Sequence, residues 1–265
     1  MGVLVPNAGH GAADGLIAEA LQRAFSTGQG LAPITDDDPG FDLTRAYVVQ
    51  AALTTLRGGQ VVGVKTGFTN RTIWDDYNVR APIHGPILRS SWRPGPLSLT
   101  GLMEPKIEPE IVLRLQASPD PAMDDVALAA CVGGLARGFE LVHSPFPGWR
   151  FRAPDTVAAG ALHGALVTGD FVPATPAHLS ALADLSVTLL CDGQPADTGH
   201  SANILGAGPL AALRDLVTQR GADRLPAGWI ISTGTLTRAL PAEPGQSWST
   251  DLQGIDLPPL SLLLT

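Results

Sequence analysis

The 265-residue sequence predicts an α+β protein, an N-terminal helical layer on a strand-rich body, and three observations carry that prediction. Helical periodicity is concentrated in the first 60 residues. From about residue 84 onward, short apolar runs recur between turn signals, the pattern of strands. The 30 glycines and 23 prolines are spread through apolar segments, which favours many turns and short strands over long helices. No repeat or flexible linker interrupts the chain. The expected organisation is therefore residues 1–80 as a mainly helical layer and 81–265 as the body, packed as one compact unit.

In order along the chain, residues 1–10 read as a loose tail. Residues 12–26 carry Leu16, Ile17, Ala20, Leu21 and Ala24 at helical spacing, with Asp14 placed to cap the start. A polar turn, TDDDPG at 35–40, leads to a second amphipathic helix over 42–57, ended by Gly58-Gly59. QVVGVK, 60–65, is a short apolar strand closing on a lysine. Strands are expected at 86–89, 97–103, 106–115, 165–168, 185–191, 228–233 and 247–251, and helices over 121–140 and 207–220.

Composition excludes several classes of function. A net charge of −8 with scattered Lys and Arg provides no basic stripe for nucleic acid. The two cysteines, Cys131 and Cys191, stand in no CxxC pair and beside no histidine cluster, so neither a disulfide framework nor a zinc site is expected, and cytoplasmic residence is. The start, MGVLVPNAGHGAADG, lacks a signal peptide's basic region and apolar run, and it has no Ser or Thr at position 6 for myristoylation. The longest apolar run, 257–264, falls far short of the ~18 residues of a membrane span, so no membrane association is expected.

The chemistry points to EPKIEPEIVLRL, 104–115. In a strand, alternate side chains share a face, so Glu108 and Glu110 lie together, with Ile107, Ile111 and Leu113 on the other side. Two neighbouring carboxylates repel, and burying them unpaired costs several kcal/mol each. A divalent cation resolves both problems, and oxygen ligands select Mg²⁺, Mn²⁺ or Ca²⁺ over zinc. The plainer alternative is a solvated strand face, which Pro109, as an edge signal, also fits. Glu140 sits among Ala, Gly and Leu, where a free carboxylate is poorly solvated; it is either part of such a site or paired with Arg137 or Arg114. Lys65, followed by TGF, either faces a ligand or is an ordinary lysine at a strand end.

Taken in order, these segments resemble the bacterial 2-keto-4-pentenoate hydratase and 4-oxalocrotonate decarboxylase family, within the fumarylacetoacetate hydrolase superfamily. The resembling stretches run over most of 42–250: AYVVQ (46–50), VVGVKTGFTN (61–70), EPKIEPEIVL (104–113), FELVHSPFPGWRFRAPDTVA (139–158) and GWIISTGTLTRALPAEPGQSW (228–248). Each piece is weak and the ordered set is specific. The resemblance implies that the strand-rich body is a mixed β-roll. It implies a metal, Mg²⁺ or Mn²⁺, held by Glu108, Glu110 and Glu140, and Lys65 facing a small 2-oxo acid substrate. It also implies that TGTLT (233–237), with Thr235, Leu236 and Thr237, offers donors to the substrate carboxylate. A homo-oligomer is implied as well, with a complex with a related hydratase as a further partnership.

Two reactions of the family share one demand, stabilisation of an enolate or dienolate by the metal. Decarboxylation of a 2-oxo-3-enedioate through a metal-stabilised dienolate needs no strong base; hydration of a 2-hydroxy-2,4-dienoate needs a proton donor and a base near the carbon chain. Pro82-Ile83-His84-Gly85 resembles the decarboxylases, which lack the hydratases' carboxylate here, and so places Ile83 against the substrate. The sequence departs from the family at 158–164, AAGALHG, where a polar stretch is replaced, and at His143-Ser144-Pro145. His84 and His163, with His143, become candidate proton carriers, His84 equally fitting a packed loop histidine. The expected activity is thus a lyase of the decarboxylase type. The alternatives are a hydratase, a C–C hydrolase or tautomerase of a dioxo acid, and a catalytically silent homologue that binds a small acid or serves as a partner subunit.

Overall fold

The computed structural model describes residues 8–75 and 77–265, with side chains described from residue 11 onward. The helical layer comprises α1 (Ala8–Thr27), a single turn α2 (Ile34–Asp37) and α3 (Leu43–Arg57). Helix α1 begins at Ala8, where a tail was expected through residue 10; residues 1–7 of that tail lie outside the described residues. Asp14, expected as the cap, lies inside α1 and pairs with Arg45 of α3 at 2.8 Å. Asp42 caps α3, accepting from the Arg45 N–H at 2.9 Å, and Gly58 ends it at φ 65°. The two helices bury Ala18, Leu21, Ala46, Val49 and Leu53 against Val157 and Ala158.

The body continues with β1 (Val61–Gly67), β2 (Ile83–Leu88), β3 (Lys106–Leu115), α4 (Asp125–Ala130), β4 (Val132–Val142), α5 (Ala153–Ala158), β5 (His163–Thr168) and β6 (Val172–Pro173). It closes with α6 (Pro176–Ala181), β7 (Ser186–Cys191), β8 (Gln194–His200), α7 (Pro209–Arg220), β9 (Ile230–Ser232), β10 (Leu240–Pro241), β11 (Ser247–Gln253) and β12 (Ser261–Leu263). One sheet runs β2-β1-β9-β3-β4-β5, with β10 paired to β3 and β6 to β4; the other runs β12-β11-β7-β8. The first is mixed, because β9 lies parallel to β1 and antiparallel to β3. The α+β class with a helical layer is what the structure has.

The faces of β3 fix where chemistry can occur. Ile107 packs with Leu189, Trp248 and Leu262 of the second sheet, and Ile111 and Leu113 pack with Val187 and with Leu213 and Leu216 of α7. The opposite face buries Val112 among Val62, Ile87, Leu166 and Ile230, and its Glu110 end stays polar.

Two expectations are corrected. Residues 97–103 form no strand; Leu97 makes one isolated bridge, to Leu264. The helix expected over 121–140 is only six residues long, Asp125–Ala130, preceded by a turn and followed from Val132 by β4. Alanine and leucine at helical spacing imitate a helix, but β4 is buried on both faces and so shows no alternation. Its glycines fit close strand contacts: a Cβ on Gly133 would meet Gln116 at 2.6 Å, and one on Gly138 would meet Val112 at 2.6 Å. Strands β6, β8, β10 and β12 were not foreseen.

Candidate metal centre

The β3–β4 register sets Glu108 directly across from Glu140 and Glu110 across from Gly138. Like charges facing each other across a ladder destabilise a sheet unless something sits between them. One carboxylate oxygen from each of Glu108, Glu110 and Glu140 lies within 4.8 Å of the other two.

Each carboxylate is held differently. Glu140 is fully buried; its Oε1 accepts from His163 Nδ1 at 2.7 Å, and its Oε2 lies 3.3 Å from the Lys65 ammonium, an ion pair without hydrogen-bond alignment. Glu110 Oε2 accepts from the Ser232 hydroxyl at 2.5 Å and from the Gly234 N–H at 2.9 Å. Gly234 stands at φ 97°, and a Cβ there would fall 2.1 Å from Thr69 Oγ1, so only glycine brings this N–H to Glu110. Glu110 Oε1 and Glu140 Oε2 are buried with no hydrogen-bond donor. Glu108 is half-buried and opens into a cavity.

Were all three carboxylates ionised, they would exceed the single buried ammonium by two negative charges, the charge of one divalent cation. Burial, reinforced by the neighbouring glutamates, pushes Glu108 and Glu110 up to about 8. Burial also raises Glu140, with Lys65 opposing. Burial alone would lower Lys65, but Glu140, Glu108 and Glu110 outweigh it and hold the ammonium charged. Two orphaned buried oxygens, an all-oxygen donor set and a charge deficit of two fit a hard divalent cation.

Lys65 comes from β1, two strands from β3, and its Nζ also donates to the Ala161 carbonyl at 3.1 Å. That carbonyl is delivered by a strained turn after α5: Gly160, Ala161 and Leu162 have φ of 78°, 55° and 60°. Gly85 of β2 makes room for it, since a Cβ there would lie 2.5 Å from the Gly160 carbonyl oxygen.

A cavity of about 300 Å³ lies over Glu108 and Lys65. Phe68, Tyr77, Trp149 and Phe151 form an aromatic wall, and Ile83, Thr235 and Thr237 also line it. Lys106, on the Glu108 face of β3, holds its ammonium 3.9 Å from the Trp149 ring centroid, and burial lowers its pKa.

The structure thus brings Lys65, Ile83, Glu108, Thr235 and Thr237 to one cavity, with Glu110 and Glu140 beside Glu108. It does not bring His84, His163 or Leu236 there. Leu236 is core, and its peptide N–H is bound to the Pro109 carbonyl at 3.0 Å. His84 stacks on Tyr47 with ring centroids 4.6 Å apart; one residue past Ile83 on β2, it projects from the opposite face, and burial, aided by the Arg220 charge, lowers it to about 4. His163 lies behind Glu140, where burial and the charges of Lys65 and Arg57 lower it to about 3. The neutral ring therefore donates through Nδ1 to Glu140, and Nε2, 2.8 Å from Ser91 Oγ, is the acceptor. His143 is likewise lowered to about 3 by burial and Arg57. Neither Arg137 nor Arg114 pairs with Glu140: Arg137 donates to the Thr250 and Leu257 carbonyls, and Arg114 lies over the Phe171 ring. Ser232 and Ser91 were missed; for Ser232 the available signal was its place just before TGTLT.

No family model matches the chain. It is 31% identical over 249 residues to the 2-hydroxyhexa-2,4-dienoate hydratase of Comamonas testosteroni, covering 89% of this chain and 92% of that protein. It is 29% identical over 248 residues to a 4-oxalocrotonate decarboxylase of a Pseudomonas species, covering 90% and 94%. Among solved structures, 4-oxalocrotonate decarboxylase from Pseudomonas putida G7, complexed with magnesium and adipate, superposes with a TM-score of 0.86 at 26% identity, covering 96% of this chain and 98% of that one. The same enzyme complexed with calcium and acetate gives a TM-score of 0.84 at 27% identity, over 95% and 97%. Similarity at 31% identity, covering 89% of this chain and 92% of its relative, places this chain in the 2-keto-4-pentenoate hydratase and 4-oxalocrotonate decarboxylase family.

Proposed function

We propose that the chain is a divalent-metal-dependent lyase that decarboxylates a 2-oxo-3-enedioate, with Glu108, Glu110 and Glu140 as the ligands of Mg²⁺ or Mn²⁺. The observation that carries this reading is the convergence of three carboxylate oxygens within 4.8 Å, two of the three glutamates each holding an orphaned buried oxygen, beside a cavity of about 300 Å³. When bound, the cation supplies electrophilic stabilisation of the negative charge that develops on the 2-oxo acid. The related decarboxylase solved with magnesium and adipate supports a dicarboxylate, and its calcium complex supports a hard cation.

The chain's own residues do the rest. Lys65, kept charged, is positioned to bind the 2-oxo acid end of the substrate, and its link to the Ala161 carbonyl keeps it from collapsing fully onto Glu140. Thr235 and Thr237 contribute polar lining. The aromatic wall excludes water from the carbon chain. Lys106 makes no ion pair among the described residues, so the substrate's second carboxylate has a cation to meet. In the reaction the bond to that carboxylate breaks, CO₂ leaves, and the electron pair passes along the conjugated chain to the 2-oxo oxygen; a proton then returns to carbon.

Decarboxylation is favoured over hydration by what lines the cavity. Its titratable groups among the described residues are Lys65, Tyr77, Lys106, Glu108 and Arg238, so the only lining carboxylate is a metal-ligand candidate. Neither His84 nor His163 reaches it. The deciding assay incubates Mg²⁺-loaded protein with 2-oxohex-3-enedioate and, separately, 2-hydroxypenta-2,4-dienoate, following CO₂ release and loss of diene absorbance. CO₂ release from the first alone is expected. Turnover of the second alone would make the chain a hydratase.

A further inference from the structure

A second cavity of about 300 Å³ lies on the far side of His163 from Glu140, between α1, α3 and the segment after β2. Two guanidiniums, Arg57 and Arg93, line it, and no Asp or Glu does among the described residues. Arg93 is exposed, and its Nε donates to the Ser90 carbonyl at 2.8 Å. Arg57 is different. Among the described residues it makes no ion pair and no hydrogen bond; its guanidinium lies 4.4 Å over the Phe25 ring. Burial lowers it to about 10, and no carboxylate opposes that shift. A half-buried cation with five unused N–H donors is open to an anion that would accept from them.

Gln22 supplies an independent observation. Its Oε1 is buried with no hydrogen-bond partner, and its carboxamide also lines this cavity. A carboxamide can present either its oxygen or its NH₂ group to the same space, so Gln22 can turn a second donor toward an anion beside Arg57. Phe25, Leu53 and Leu88 give one stretch of the wall an apolar surface, beside the hydroxyl-bearing Ser26, Thr54, Ser90 and Ser91. A planar guanidinium fork matches a carboxylate bidentately. One half-buried, unpaired guanidinium beside an apolar stretch of wall suits a single carboxylate on a short carbon chain better than a doubly charged phosphate.

We propose that this second cavity binds a small monocarboxylate, its carboxylate held by the Arg57 guanidinium and the Gln22 carboxamide and its carbon chain laid against Phe25, Leu53 and Leu88. The site is separate from the metal centre and does not depend on which reaction that centre performs.

The test is calorimetric titration of the full chain, saturated with Mg²⁺, with butyrate, which has no 2-oxo group through which to chelate a metal. One butyrate per chain is expected. Affinity should fall at least tenfold in Arg57→Met, fall by a smaller factor in Arg57→Lys and Gln22→Leu, and stay within twofold of wild type in Lys65→Met. The two milder variants keep the test decisive if Arg57→Met fails to fold. The proposal is overturned by absence of saturable binding to wild type, or by undiminished binding in the Arg57 and Gln22 variants. It is also overturned by an equal loss in Lys65→Met, which would put butyrate in the first cavity. Inorganic phosphate binding as tightly as butyrate would overturn the carboxylate assignment. Dissociation of an oligomer in Arg57→Met, with no butyrate binding to wild type, would mean that a second copy of the chain fills the cavity instead.

Discussion

The two strands that bring the carboxylates together hold them in opposite ways. On β4, Glu140 has charged and polar partners built for it, Lys65 at 3.3 Å and His163 at 2.7 Å, and no exposure at all. On β3, Glu110 has only neutral donors, Ser232 and Gly234, while Glu108 opens to the cavity, and both are pushed up to about 8 by burial. The comparison teaches that Glu140 is set in place by the protein, whereas burial favours the protonated form of the pair on β3, which a bound cation would have to displace. A metal site that must both bind and let substrate approach is expected to be stiff behind and adaptable in front.

The largest effect that could break this comparison is on metal affinity. Glu108→Gln and Glu110→Gln should each weaken Mg²⁺ binding by at least about a hundredfold, beyond the ten- to hundredfold typical of groups that only orient ligands, with decarboxylation lost and the far-ultraviolet dichroism intact. Calorimetry on chelator-stripped protein measures this, and wild-type affinity in either variant would remove that glutamate from the ligand set. The strands should then separate on the stability of the metal-free protein. Glutamine mimics the protonated acid that Glu108 already is at neutral pH, so Glu108→Gln should change stability by less than about 1 kcal/mol. Glu140→Gln strands the Lys65 ammonium in the interior and should cost about 3 kcal/mol. Equal losses in denaturant melts would mean the two strands hold their carboxylates alike.

Proton linkage sharpens the same contrast. Burial raises Glu108 and Glu110 to about 8 in the folded chain, against 4.5 for an ordinary glutamate, so between those values the folded chain binds more protons. Their contribution is present below the unfolded pKa and is lost as pH rises through the folded one. Metal-free stability should therefore fall from pH 6 to pH 8, by about 2 kcal/mol for each group that titrates independently. Mg²⁺ displaces those protons, so its affinity should rise over the same interval and the decline should vanish in saturating metal. Thermal melts at both pH values, with and without Mg²⁺, decide it; identical pH slopes in the two series would contradict the proton-holding pair.

What the sequence disclosed about this site follows the same division. Glu108 and Glu110 were legible because a strand's two-residue period puts i and i+2 on one face, and neither needs tertiary structure to be adjacent. Glu140 was legible only as a carboxylate in apolar company; its strand was misread as helix because alanine, leucine and glycine carry no strand alternation when both faces are buried. The direction of a side chain at a turn was not legible. Three successive positive φ values at 160–162 decide that His163 points behind Glu140 rather than into the cavity, and two of those residues, Ala161 and Leu162, give no local sign of it. Nor could the sequence show that Gly234 and Ser232 serve Glu110, since β9 reaches β3 across 120 residues of chain by pairing alone.

That turn makes His163 the finest test of the comparison. If β4's carboxylate is pre-set by its partners, removing the one that fixes its orientation should cost metal affinity without touching the ligands. His163→Leu deletes the Nδ1–H donor 2.7 Å from Glu140 Oε1 and should weaken Mg²⁺ binding about tenfold. His163→Asn places an amide N–H near the Nδ1 position, loses the contact of Nε2 with Ser91, and should recover most of that affinity. A histidine that carried protons for catalysis would behave otherwise: both variants would lose kcat together at saturating metal, and asparagine would rescue neither. The neutral ring, wedged between a carboxylate and a serine outside the cavity, has the geometry of a support, so the split between metal affinity and kcat is the quantity that separates the two roles.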